Sequence, residues 1–163
     1  MASIEEVKVR LLNNEIENLF LDFDVNSYDK HGNNILHYYL KNSESLAIDS
    51  KQFLDMLFSE GFDLNSLQSK SPKSSALHLA VKLKKRDLVV QLVEYNVDID
   101  AVDEEGNTPL WIAVMWYRND DPFYISYLLE KGADKNIENK HGVSPLGLSN
   151  VMANYDSKPL LKK

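Results

Sequence analysis

The sequence predicts an all-α fold built from repeated pairs of helices, and three observations support this prediction. A turn motif, which reads Asp-Glu-Glu-Gly-Asn-Thr-Pro-Leu over residues 103–110, recurs in weaker copies along most of the 163 residues. A closing motif, Gly-Ala-Asp-Lys-Asn over residues 132–136, recurs in the same way. Helix start and stop signals lie at fixed places within each copy. Self-similarity of this kind indicates a repeat protein, in which each repeat packs on its neighbours.

The copies begin at nearly regular intervals. With the leucine of the turn motif as the anchor, they start at Asp29, Lys70, Asp103 and Asn139, which are 41, 33 and 36 residues apart. A degenerate earlier copy ends near residues 23–26, so we expect residues 3–22 to form an N-terminal pair of capping helices. The chain is then a single domain. Its parts are a cap over 1–28, repeats over 29–69, 70–102 and 103–138, and a C-terminal repeat with its tail over 139–163.

Each repeat carries signals for the start and the end of a helix. The Thr108 hydroxyl can accept a hydrogen bond from the first turn, and Pro109 loses no bond at the first helical position. Serines stand at the same place in two other repeats, at Ser75 and Ser144. The second helix of a repeat is expected to end at a residue that tolerates left-handed backbone, namely Gly61, Asn96 or Gly132.

On these motifs the chain resembles the ankyrin repeat family over about residues 14–150, and the interval of 33 residues is the period of that family. The resemblance implies a solenoid of about four stacked repeats, with an N-terminal helical cap and a degenerate C-terminal repeat. It also implies that His37 and His78, at the histidine of the turn motif, join one turn to the next by hydrogen bonds. The function that the family implies is protein recognition without catalysis.

The chain departs from the family pattern in three places. Tyr39 stands where a small residue is usual, and we expect Tyr38 and Tyr39 to pack under a longer connection at 43–50. In the third repeat the inner helix is expected to continue through Trp116 and beyond, about three residues longer than the family pattern. No closing motif follows the last repeat, so we expect residues 158–163 to be mobile.

Composition excludes several classes of function. A formal net charge of −7 argues against nucleic acid as a general partner. The absence of cysteine excludes disulfides and thiolate metal sites. No apolar run approaches the ~20 residues of a membrane span, and the first residues do not resemble a secretory signal. We therefore expect a soluble cytoplasmic protein, monomeric when free, that binds neither membrane nor nucleic acid.

Charge is unevenly distributed along the chain. Residues 70–91 contain six basic side chains and one acidic one, whereas the flanking segments 1–65 and 94–138 are strongly acidic. In a solenoid such blocks become bands, so we expect a basic stripe between two acidic ones. Nucleic-acid binding through residues 70–86 is an alternative that the acidic flanks disfavour.

Residues that could support catalysis are better explained as structural or solvated. His31, His141 and the acidic clusters at 103–105 and 120–121 could in principle serve a metal-dependent enzyme. The carboxylates lack the spacing of a calcium loop. Helix layers are about 10 Å apart, so two intervening repeats would hold the two histidines too far apart for one metal ion. We expect no catalytic residue, no metal site and no cofactor, and the metal-dependent enzyme remains the alternative.

Large amphipathic side chains in the third repeat are the candidate binding anchors. Met115 and Trp116 occupy positions that vary in the family and face its concave groove, and Trp, Tyr and Arg dominate interface energetics. The alternative is that a longer helix pair buries Trp116 between layers. The partner-binding residues that we predict are His31, Asn33, Glu104, Glu105, Asn107, Met115, Trp116, Tyr117, Asp120 and Asp121.

A sharper hypothesis concerns the kind of partner. A short acidic array with an aromatic anchor resembles the ankyrin-type immunity proteins that accompany bacterial polymorphic toxins. That resemblance implies an inhibitor that covers a basic toxin domain, and electrostatic complementarity would speed the capture. A regulatory adaptor or a host-directed effector that uses the same groove is the alternative.

Overall fold

A computed structural model describes residues 1–119, 121–152 and 156–162. Within these residues the regular structure is helical, apart from one isolated parallel bridge between Ala2 and Phe23. The predicted all-α class is therefore confirmed. The chain divides into an N-terminal unit, Met1–Ala76, and a C-terminal unit, Leu77–Lys163. No helix in the described ranges is both long and apolar enough to cross a membrane.

The N-terminal unit contains helices α1 (Ile4–Leu12), α2 (Ile35–Asn42) and α3 (Ser50–Ser59), with a 3-10 turn at Ser43–Ser45. Ser3 and Glu6 form a capping box at the start of α1, which satisfies amides that the helix itself cannot pair. Helix α1 packs against α2. The core of the unit consists of fully buried apolar side chains, among them Val7, Leu11, Ile35, Leu36, Leu40, Phe53, Leu54 and Leu57.

The expected second capping helix is absent from the N-terminal unit. Residues 17–22 form successive turns, and Asn14, Asn18 and Asp22 have φ values of 58°, 58° and 57°. A right-handed helix cannot continue through left-handed residues, and after glycine Asn and Asp enter that region most readily. Arg10 holds the turns in place by donating from Nη1 to the carbonyl of Leu19 at 3.2 Å. The prediction of a helix pair was wrong, and the cap is one helix followed by turns.

The enlarged first repeat is accommodated around Tyr39. Its ring is 1% exposed and stacks on Phe53 with ring centroids 4.2 Å apart. Its hydroxyl donates to the carbonyl of Ile48 at 2.9 Å, so Tyr39 packs under the longer connection as predicted. Tyr38 lies elsewhere, beside the ammonium group of Lys8, which is 5.2 Å from its ring centroid.

Where the structure describes it, the C-terminal unit contains five further helices and most of a sixth. Helix α4 (Ala76–Lys82) begins one residue before the unit and is followed by α5 (Arg86–Glu94), α6 (Pro109–Met115) and α7 (Phe123–Glu130). Helices α8 (Pro145–Val151) and α9 (Lys158–Leu161) complete it. Helix α6 packs against α7 and α8, and α9 packs against the same two helices.

Two expectations about the C-terminal unit were wrong. Helix α6 ends at Met115, and the expected continuation through Trp116 is a loop. Asn119 in that loop has a φ of 60°, which an α-helix cannot accommodate. Residues 158–161, expected to be mobile, form α9 instead. Leu161 is fully buried, and its carbonyl accepts a hydrogen bond from Lys135 Nζ at 2.6 Å.

Local geometry confirms five of the predicted helix signals, at Thr108, Ser144, Gly61, Asn96 and Gly132. Thr108 accepts from the amide of Trp111 at 3.2 Å and Ser144 from that of Gly147 at 3.0 Å, so both cap helices as predicted. The residues expected to be left-handed have φ values of 74°, 56° and 96° at Gly61, Asn96 and Gly132. Within the N-terminal unit His37 Nε2 lies 3.1 Å from the carbonyl of Ser74. Within the C-terminal unit His78 Nε2 lies 2.8 Å from that of Asn107.

Candidate functional site

The predicted contact residues fall into three groups, two of them in the C-terminal unit. One lies on the hairpin turn, or finger, at 103–107, and another begins at the last residue of helix α6 and comprises Met115–Tyr117 with Asp121. A helix of seven residues separates these two groups, which corresponds to about 10 Å. The third group, His31 and Asn33, lies on the finger at 29–33 in the N-terminal unit.

The finger at 103–107 presents acidic side chains on a rigid turn. The Asp103 carboxylate accepts from the amides of Glu105 and Asn107, both at 2.9 Å, so it closes the turn. Glu105 is exposed, and its Oε2 lies 3.2 Å from Nε2 of His141 on the next finger. Glu104 is partly exposed beside it. The two glutamates can meet a partner, whereas Asp103 serves the turn.

Asn33 and Asn107 are buried and hold neighbouring turns together. The side-chain oxygen of Asn107 accepts from Asn139 Nδ2 at 2.8 Å. That of Asn33 accepts from Lys41 Nζ and from Gln68 Nε2, both at 2.7 Å. Because their oxygens are bonded inside the protein, these atoms are already engaged and do not face a partner.

The finger at 29–33 is tied to α1 by a buried ion pair. Lys8 Nζ lies 2.7 Å from the carboxylate of Asp29, and their side chains are 10% and 4% exposed. Burial acts to raise the pKa of Asp29, but hydrogen bonds from Lys8 and from the amides of Asn33 and His31 lower it to about 2. His31 itself is exposed.

Sequence reasoning missed this ion pair, although one signal of it exists. Helix α1 buries Ile4, Val7, Lys8 and Leu11, so Lys8 lies on the helix face that is otherwise apolar. A charged residue on such a face needs a partner, because an unpaired buried charge is costly. The partner follows only from the tertiary fold, since Asp29 is 21 residues away.

Trp116 is exposed and has two cationic side chains close to its ring. The side chains of Met115 and Trp116 are 41% and 45% exposed, so the alternative that Trp116 is buried between layers is excluded. Lys82 Nζ and Arg118 Cζ each lie 5.8 Å from the Trp116 ring centroid. Both are within the range of a cation–π interaction. Arg118 Nη1 also donates to the carbonyls of Met115 and Tyr117, at 2.9 and 2.8 Å, which fixes the guanidinium beside the indole.

A second cation–aromatic contact lies at the start of α7. The Arg86 guanidinium is 4.3 Å from the Phe123 ring centroid, and its Nη2 is 2.8 Å from the Asp121 carboxylate. Asp121 also accepts from the amide of Phe123 at 3.0 Å, so it is engaged at the helix start. Between α4, α6 and α7 lies a small hollow that Tyr117 and Trp116 help to line. Asp120, the remaining predicted contact residue, lies outside the described residues.

The basic members of this region were not among the predicted contact residues. Lys82 and Arg86 belong to the basic block at 70–91, and folding brings Lys82 to an aromatic side chain more than thirty residues later. The basic block at 70–91 was the one signal in the sequence that pointed to these residues. The spacing of residues along the chain does not show which side chains the block meets in the folded protein. As for metal chemistry, no group of three or more His, Asp or Glu residues in the described ranges could hold an ion.

Comparison with known proteins identifies ankyrin repeats in this chain. A family model described as ankyrin repeats (3 copies) matches residues 45–139, more than half of the chain. The chain is 32% identical over 94 residues to the fowlpox virus ankyrin repeat protein FPV219, which covers 58% of this chain and 21% of the relative. It is 32% identical over 117 residues to FPV031 of the same virus, covering 69% and 33%.

A vertebrate protein is similar over a comparable length. The nuclear factor NF-kappa-B p105 subunit of Gallus gallus is 29% identical over 147 residues, which covers 71% of this chain and 14% of the relative. The chain therefore spans at most about a third of the length of these three relatives.

Proposed function

We propose, because this chain belongs to the ankyrin repeat family, that it is a non-catalytic protein-binding module. The observation that carries the proposal is the exposed indole of Trp116 at the end of an inner helix, with the cationic groups of Lys82 and Arg118 each 5.8 Å from its ring centroid. Tryptophan and arginine are the side chains that most often dominate binding energy at interfaces. Met115 and Trp116 are neighbours in the chain and are 41% and 45% exposed, and an exposed apolar patch often marks a binding site.

The contact surface in this proposal is largely preorganised. The finger at 103–107 is closed by a backbone hydrogen bond from the amide of Asp103 to the carbonyl of Asn107, and Arg118 is held by two carbonyls. A partner that docks on fixed groups pays less for ordering side chains and loops. Glu104 and Glu105 then add negative charge at one end of α6, and Met115, Trp116 and Tyr117 add apolar area at the other.

A narrower form of the proposal concerns what binding achieves. The chain could act as an immunity protein that neutralises a basic toxin, and the net charge of −7 and the exposed glutamates of the finger favour such a partner. The relatives favour a second candidate, a regulatory or host-directed protein, because they come from viruses and a vertebrate. The activity of the captured partner, measured with and without this chain, separates inhibition from mere recruitment.

Replacement of Trp116 tests the proposal. A partner is captured from an extract of the source organism, identified, and titrated by calorimetry against the wild-type chain and Trp116→Ala. We expect the variant to bind more weakly by at least ~2 kcal/mol, which is about thirtyfold in Kd. Phe58→Ala removes another exposed aromatic side chain, 64% exposed on α3, and should leave the affinity unchanged. Intact folding of Trp116→Ala with an unaltered Kd would refute the assignment.

A further inference from the structure

We propose that Lys82, Met115, Trp116 and Arg118, here termed the Trp116 surface, bind an acidic peptide segment of the partner that also carries an apolar side chain. This inference rests on the proposed function, since it names the chemistry recognised at the same site. It goes beyond that function because the chain as a whole is acidic, with a net charge of −7, and would be expected to prefer basic partners.

The charge beside Trp116 has the opposite sign to the charge of the chain. Lys82 and Arg118 are both exposed, and each places its cationic group 5.8 Å from the indole centroid. Asp121 contributes a carboxylate to this region, and that carboxylate is 2.8 Å from the Arg86 guanidinium and pairs with it. Glu104 and Glu105 lie at the other end of α6, about 10 Å away. A ligand on the indole therefore meets positive charge.

The apolar part of the Trp116 surface indicates that the ligand carries an apolar side chain between its carboxylates. The side chains of Met115 and Trp116, 41% and 45% exposed, form adjacent apolar area. An apolar side chain of a ligand can cover this area while flanking carboxylates reach Lys82 and Arg118. Carboxylates pair with a guanidinium through charge-assisted hydrogen bonds, which are stronger than neutral ones. Arg118 is favourably placed for this because two backbone carbonyls already restrict it.

A single-stranded nucleic acid is the competing ligand, because it also binds to aromatic side chains with cations beside them. Its phosphates carry one negative charge per nucleotide, and a chain of net charge −7 repels such a polymer more than a peptide with two or three carboxylates. We therefore assign the surface to an acidic peptide and treat nucleic-acid binding as an outcome that would overturn the assignment.

Four labelled probes of equal length test the inference on the full chain by fluorescence anisotropy. The first is a peptide in which glutamates alternate with leucine and phenylalanine. In the second and third peptides glutamine and lysine replace the glutamates, and the fourth probe is an oligo-dT. We expect the acidic peptide to bind at least about tenfold more tightly than the glutamine peptide, and the latter more tightly than the lysine peptide. Affinity for the acidic peptide should fall as salt is raised.

Two variants locate the binding. Trp116→Ala and Lys82→Glu should each weaken binding of the acidic peptide by about tenfold or more. Lys82→Glu should also reduce the ratio of the affinity for the acidic peptide to the affinity for the lysine peptide. The matched control is Lys131→Glu. Lys131 also lies over an aromatic ring in the C-terminal unit, 5.5 Å from the Tyr127 centroid, and its reversal should leave the affinity unchanged.

The outcomes separate this inference from the proposed function. Preference for the lysine peptide or the oligonucleotide, failure of the acidic peptide to bind, or an equal effect of Lys131→Glu would each overturn the acidic-peptide assignment. The proposed function stands if Trp116→Ala still weakens the complex with the captured partner. It falls if that complex does not depend on Trp116.

Discussion

At the scale of single residues, the fingers at 29–33 and 103–107 form the same turn with different surroundings. Asp29 accepts from the amides of His31 and Asn33 at 2.8 and 2.9 Å, and Asp103 makes the equivalent bonds within its own finger. Asp29 also pairs with the buried Lys8, whereas in the described ranges no ion pair involves Asp103. The two aspartates therefore allow the contribution of the ion pair to be measured apart from that of the turn.

Replacement of Asp29 and of Asp103 by alanine, each in a separate variant, measures the contribution of the ion pair to stability. Asp103→Ala removes turn hydrogen bonds and should lower the free energy of unfolding by about 1 kcal/mol. Asp29→Ala also leaves Lys8 buried with only Glu5 beside it, at 3.0 Å, and should cost about 3 kcal/mol. Urea denaturation of the two variants gives the difference. Equal losses in the two variants would show that the Lys8–Asp29 pair contributes no net stability.

At the scale of elements, neighbouring fingers approach closely enough to restrict side-chain size. In the N-terminal unit the amide of Ser69 donates to the carbonyl of Gly32 at 2.9 Å. Gly32 has a φ of 81°, and a Cβ there would lie 2.6 Å from the backbone nitrogen of Lys70. Gly61, at the end of α3, has a similar φ of 74°, but a Cβ there would meet no atom within 4 Å. The two glycines differ in packing and share a left-handed backbone.

Substitution by alanine at these two glycines separates packing from backbone strain. Gly61→Ala should lower the free energy of unfolding by about 1 kcal/mol, because alanine only has to adopt the left-handed conformation. Gly32→Ala must in addition move the neighbouring finger, and should cost about 3 kcal/mol. Thermal and urea unfolding of both variants provide the measurement. If Gly32→Ala lowered the free energy of unfolding no more than Gly61→Ala does, the neighbouring finger would move aside without cost and the contact would not restrict side-chain size.

The residues by which the first and third repeats exceed the family length lie after the ends of helices. The enlarged first repeat places its additional residues in the 3-10 turn at Ser43–Ser45 and the connection after it, with Tyr39 packed beneath. The additional residues of the third repeat lie in the loop after Met115. In both places the additional residues lie outside the α-helices. Trp116 is exposed for this reason.

At the scale of the whole molecule, buried histidines link stability to pH. Burial lowers the pKa of His37 to about 4, although the carbonyl of Ser74 acts in the opposite direction. Burial also lowers the pKa of His78. A histidine with a depressed pKa binds fewer protons in the folded than in the unfolded chain. Its contribution to stability is therefore complete above its unfolded pKa and is lost as pH falls.

The free energy of unfolding should consequently decrease between pH 6.5 and about pH 4. His37 alone accounts for up to about 3 kcal/mol over this interval. A further loss should follow as pH approaches 2, where Asp29 becomes protonated. His37→Gln should be less stable at pH 7 but should show a shallower slope between pH 6.5 and 4. Identical slopes for the variant and the wild type, by urea denaturation at each pH, would contradict this account of His37.

The sequence by itself determined the helical repeats, the residues that cap their helices and the turns between the repeats. These features depend on residues a few positions apart, such as Thr108 with Trp111, and local interactions of that kind recur wherever the motif recurs. The ankyrin assignment followed from the same motifs. The second capping helix was predicted wrongly because the left-handed conformation of Asn14 and Asn18 is not evident from their residue types alone.

Only the tertiary structure decided which charged and aromatic groups share a surface. Lys8 meets Asp29, and Lys82 meets Trp116, across separations that no local spacing encodes. Asn33 and Asn107, predicted at the contact surface, have their side-chain oxygens bonded inside the fold, whereas Lys82 was not predicted to lie there. The physical reason is that periodicity specifies which face of a helix is buried, but packing between helices sets which side chains come within reach of one another.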